Sequence, residues 1–96
     1  MTTLQNTRLD KIPKPVADIK VEAIEGELLL YHPRNTVAVY LNPTAAVIWG
    51  LCDGQRQVRE IIQLIEESYP DSKPTVTEDV LATLADLYEK KVLVPG

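Results

Sequence analysis

The chain has 96 residues, 45% of them apolar and 25% charged, with a net charge of −4 and an isoelectric point near 4.9. That length makes one domain, close to the smallest size at which a single core holds without staples. The acidic balance excludes nucleic acid and anionic membrane as main partners, because both demand a basic surface. Four Tyr, one Trp and no Phe leave the core to Leu, Ile, Val and Ala. The single Cys, Cys52, cannot form an internal disulfide and reads as a small buried hydrophobe. No apolar run approaches the roughly 20 residues of a membrane span, and Met1 to Asp10 lacks the apolar stretch of a signal peptide, so a cytoplasmic location is expected.

Residues 1–15 are polar and close on Pro13 and Pro15, which reads as a flexible or extended arm ahead of a domain spanning 16–96. Leu4, Leu9 and Ile12 offer points at which that arm can dock. From Asp18 the pattern alternates: Ile19, Val21 and Ala23 share one face, and Asp18, Lys20 and Glu22 the other. Glu25-Gly26 is a two-residue turn signal, and Glu27 to His32 completes a hairpin. After a second turn at Pro33-Arg34-Asn35, Thr36 to Leu41 is the strongest strand, rich in β-branched and aromatic residues. Three short strands with tight turns make an antiparallel meander. Its last strand carries no charge and no Pro, the usual means of blunting an edge, and an unblunted edge suggests that something pairs with it.

The stretch from Leu41 to Gly54 turns the chain from strands to helices. Asn42 is a capping residue, Pro43 suits a first helical position, and nothing charged follows until Asp53. This first helix is therefore expected to be buried on most sides, with Gly54 as a left-handed cap. Val58, Ile61, Ile62, Ile65 and Tyr69 then recur at helical spacing until Pro70. Asp71 to Pro74 reads as a loop. Thr75 or Thr77 caps a third helix reaching about Lys91, with Val80, Leu81, Leu84, Leu87 and Tyr88 as its apolar stripe. Val92 to Val94 is a short β-like tail. The fold class is α+β: a three-stranded antiparallel meander followed by a three-helix winged helix-turn-helix.

Chemistry is scarce. One His, His32, and one Cys give no metal-ligand spacing, the Gly residues at 26, 50, 54 and 96 form no phosphate loop, and Ser68 and Ser72 have no His nearby in sequence. No catalytic residue, cofactor or metal is expected. A helix-turn-helix suggests DNA, but residues 53–91 carry nine acidic against five basic side chains, so phosphates would be repelled. An acidic helical half behind an open apolar edge suits an extended peptide, which adds a strand beside Thr36–Leu41 and rests side chains against the third helix. The plainer alternative is that Val37, Val39, Val80, Leu84 and Leu87 are simply core.

The run Leu41-Asn42-Pro43-Thr44-Ala45-Ala46-Val47-Ile48-Trp49 with Leu51-Cys52-Asp53-Gly54 resembles the signature of the PqqD-like family. So do Val58, Ile61 and Ile62, and later Asp79-Val80-Leu81 with Leu84 and Leu87; the similarity covers about Val16 to Val94. Members of that family, called RiPP recognition elements, bind the leader of a ribosomally made precursor peptide and present it to a modifying enzyme. The resemblance implies that a leader pairs antiparallel with the third strand at Val37, Ala38, Val39, Tyr40 and Leu41. It packs against the third helix at Asp79, Val80, Thr83, Leu84 and Leu87, with Tyr88 at the margin. The implied partners are the precursor peptide and a modifying enzyme, such as a radical S-adenosylmethionine enzyme in pyrroloquinoline quinone (PQQ) biosynthesis or a leader peptidase in lasso-peptide pathways. The same edge also offers itself to a second copy of the chain as a homodimer contact. A winged-helix regulator or protein-docking adaptor is the alternative function.

Overall fold

The computed structural model describes residues 9–32, 34 and 38–95. Strands β2 (Lys20–Ile24) and β3 (Glu27–Tyr31) form the expected hairpin, in register from Lys20 opposite Tyr31 to Ile24 opposite Glu27. Glu25 and Gly26 both take positive φ, 50° and 83°, the type I′ turn whose twist matches that of the strands. Strand β4 (Ala38–Leu41) pairs antiparallel with β3, giving the order β2-β3-β4. Thr36 and Val37, the expected start of this strand, lie outside the described residues. Register aligns Leu28 with Leu41 and Leu30 with Val39, and this face of β3 and β4 is the one covered by helices. Leu30, Val39 and Leu41 are buried accordingly, whereas Val21, on the same face of β2, stays 48% exposed.

Helix α1 (Pro43–Leu51) starts as its sequence requires: the Asn42 side chain accepts a hydrogen bond from the Ala45 amide at 2.8 Å, and Pro43 fills the first turn. The expectation that α1 is buried on most sides is corrected. Ile48 and Trp49 point into the core, but Pro43, Thr44, Val47 and Gly50 are exposed, because the sheet and α3 cover only one side. Gly54 has the left-handed conformation (φ 79°), yet α1 has already ended at Cys52. That conformation instead lets the Gly54 amide donate to the Pro13 carbonyl at 3.0 Å.

Helix α2 (Val58–Ser68) begins where the Glu60 carboxylate accepts from the Gln57 amide at 2.9 Å, and it buries Val58, Ile61 and Ile62. Tyr69 follows its last turn and is half exposed instead of completing the apolar stripe. A 3-10 turn (Pro70–Ser72) leads directly into α3 (Lys73–Glu89), so the third helix starts earlier than the expected caps at Thr75 or Thr77. Pro74 does not prevent this, since the first turn needs no N–H donors. Thr75 donates its hydroxyl to the Ser72 carbonyl at 3.1 Å. Val76, Val80, Leu84 and Leu87 form the buried stripe of α3.

The helix ends in a Schellman arrangement. The Val92 amide donates to Leu87 O at 3.2 Å and the Lys91 amide to Tyr88 O at 3.0 Å, with Lys91 in the left-handed region at φ 62°. Strand β5 (Leu93–Pro95) follows and pairs antiparallel with β1 (Pro13–Pro15). The arm drawn as 1–15 is therefore not free along its whole length: its end is a strand, and Pro13 is fully buried. Both strands of this ribbon are edges, so prolines at 13 and 15 are tolerated. The Val58 amide donates to Lys11 O at 2.8 Å, and Arg59 pairs with Asp10, which fastens the same segment to α2.

Candidate functional site

The hairpin register decides which backbone groups the sheet leaves open. In a two-residue type I′ hairpin the residues flanking the turn exchange hydrogen bonds, and bonded and non-bonded pairs then alternate. Ile24 and Glu27 flank the turn, so Glu27, Leu29 and Tyr31 turn their N–H and C=O groups toward β2. Leu28 and Leu30 turn theirs toward β4, where their partners are Leu41 and Val39. The free edge of β4 consequently presents the main-chain groups of Ala38 and Tyr40. Both side chains are exposed, whereas those of Val39 and Leu41 sit in the core at 3% exposure each.

An open groove of about 530 Å³ lies between this end of the sheet and α3. Tyr40 and Leu41 line it from the strand and Asp79, Thr83 and Leu87 from the helix. Of the residues singled out in the sequence, those five share the groove. Val80 and Leu84 do not line it; they are buried at 1% and 2% exposure and hold α3 against the core. Ala38 stands exposed on β4 outside the lining, and Val37 is outside the described residues. Sequence reasoning missed Ala82 and Asp86 on α3 and Asn42, Thr44 and Ala45 from the start of α1. Asp79, Ala82, Thr83 and Asp86 recur at three- and four-residue helical spacing, a signal obscured by the stronger apolar stripe beside them.

Two carboxylates, Asp79 and Asp86, line the groove, and no cationic side chain among the described residues does. Asp86 pairs with Lys90 at 2.8 Å along α3. The Tyr40 hydroxyl donates to Glu27 across the outer face of the sheet, and that bond holds the phenol above its ordinary range. His32 accepts from the Arg34 amide at 3.0 Å through Nδ1, a turn-stabilising role. Burial pushes the Cys52 thiol up to about 12, helped by neighbouring Asp53, and its Sγ–H donates to Ile48 O at 3.2 Å. A nucleophile needs the opposite shift. No group of three or more His, Cys, Asp or Glu suited to a metal occurs among the described residues. No helix among them is long and apolar enough to cross a membrane.

The fold and groove define a class: an α+β domain whose three-stranded antiparallel sheet keeps one strand edge open beside a helix. Residues 27–93 match the family model described as Coenzyme PQQ synthesis protein D (PqqD), and the chain belongs to that family. It is 41% identical over 58 residues to PqqA binding protein 1 of Pseudomonas putida, covering 60% of this chain and 59% of that protein. It is 28% identical over 93 residues to the bifunctional coenzyme PQQ synthesis protein C/D of Methylorubrum extorquens, covering 96% of this chain and 24% of that protein. The chain thus spans about a quarter of the latter and three fifths of the former. Among solved structures it resembles TbiB1 in complex with the TbiA(beta) leader peptide, with a TM-score of 0.72, 26% identity, and coverage of 83% of this chain and 93% of that one.

Proposed function

We propose that this chain is a non-catalytic recognition domain that binds the leader of a ribosomally made precursor peptide and presents it to a modifying enzyme. The observation that carries this reading is the open edge of β4 beside the α3 groove. An extended peptide can complete the ladder there while its side chains meet α3. Its likeness to a PqqA binding protein and to a protein solved in complex with a leader peptide supports the same class of ligand. The fold is read as a winged helix-turn-helix in which α2 and α3 are the helical pair and the β1–β5 ribbon is the wing. The acidic groove makes peptide a better ligand than nucleic acid. The modifying enzyme is proposed to be a radical S-adenosylmethionine enzyme or a leader peptidase.

Calorimetric titration of the full chain with synthetic PqqA and with the TbiA(beta) leader tests the reading. At least one peptide is expected to bind and to slow hydrogen exchange at the Ala38 and Tyr40 amides. Tyr40→Pro removes an outward N–H and is expected to weaken binding about tenfold or more, while Tyr40→Ala retains the backbone pairing. Failure of both peptides to bind, or binding unchanged by Tyr40→Pro, overturns it.

A further inference from the structure

Helix α1 presents an apolar face, at Pro43 and Val47, that none of the described residues covers. Pro43 and Val47 border a cavity of about 320 Å³ between the three helices, with Ile48, Ile65 and Val76 as its apolar lining and Tyr69 at its margin. That volume is at the lower end of small-ligand sites, roughly 300–1,000 Å³, and suits one large side chain. Val47 is 39% exposed and Tyr69 50% exposed, although both are apolar enough to be buried. The cavity is not isolated: Thr44 and Asp79 line both it and the groove beside β4. The groove and the cavity therefore adjoin between the start of α1 and α3, within reach of a peptide that leaves the β4 edge. Asp79 stands at the junction, and none of the ion pairs among the described residues involves it.

We infer that the peptide paired with β4 continues past Asp79 and anchors one bulky apolar side chain in the cavity between α1, α2 and α3. A Lys or Arg next to the anchor faces Asp79. This assignment rests on the peptide-binding reading above and adds a sequence requirement to it. Pairing along β4 recognises main chain and accepts many sequences. The cavity selects among them, because an apolar side chain left in water forfeits its burial.

Val47→Glu places a charge at the mouth of the cavity from an exposed position, so the fold is retained. Leu64→Glu makes the same change at an α2 residue that is 38% exposed and does not line the cavity. Titrating each with the peptide that binds the unaltered chain, Val47→Glu is expected to lose at least tenfold in affinity and Leu64→Glu to lose none. An alanine scan of the peptide should find one apolar position whose loss is non-additive with Val47→Glu. If Ala38 and Tyr40 become protected but Val47→Glu binds like the unaltered chain, the cavity assignment falls and the strand-pairing reading stands. If neither peptide protects those amides, both fall.

Discussion

Lys91 occupies a position that the backbone reserves for glycine. It sits one residue beyond the cap of α3 at φ 62°, where its Cβ crowds the following carbonyl, a cost of roughly 1–2 kcal/mol. Lys91→Gly relieves that crowding but loosens the unfolded chain, so a net gain of about 0.5–1 kcal/mol is expected. A urea melt showing no change or a loss would refute it. Cys52 makes the opposite case, a residue well suited to its place. Its thiol is 2% exposed and held protonated. Iodoacetamide at pH 8 should modify it only as the domain unfolds. Because the folded value is raised from 9.0 to about 12, its contribution to stability is complete below pH 9 and lost as pH climbs toward 12. Rapid alkylation of the native chain would contradict this burial.

Among the elements, β4 separates scaffold from the proposed binding edge by alternation. Val39 directs its N–H toward Leu30 and its side chain into the core, so Val39→Pro should unfold the sheet. Tyr40→Pro acts on the open edge and should leave a native circular dichroism spectrum; unfolding by both variants to the same degree would disprove the alternation. The meander, the three helical periodicities and the Asn42 cap are legible in the sequence because each is a local pattern. So is the open β4 strand, from its lack of charge and Pro. The early start of α3 is hidden by Pro74, which reads as a breaker until its place in a first turn is known. The burial of α1 is misread because lack of charge marks an apolar surface without saying whether anything covers it. Val80 and Leu84 illustrate the same limit from the other side. Helical spacing puts them on one face of α3, and only the packing shows that this face is the core and the groove lies one strip over.

At the scale of the molecule, residues 11–15 are part of the body. Pro13 is buried, and the carbonyls of Lys11 and Pro13 accept from the amides of Val58 and Gly54. A chain shortened to residues 16–96 loses these bonds and the β1–β5 ribbon, and is expected to be less stable by about 2 kcal/mol or more. Equal urea midpoints for the two lengths would show that the segment adds nothing.

The β1–β5 register has another consequence. Pro13 lies opposite Pro95, so a segment near the start of the chain and one near its end are neighbours across a ribbon. A domain whose first and last strands adjoin can be spliced into a surface loop of a larger protein with little distortion of its host. It can also be circularly permuted: a Gly/Ser bridge from the end of β5 to the segment ahead of β1, with new ends opened at the exposed Asp71, leaves the β4 edge and its groove untouched.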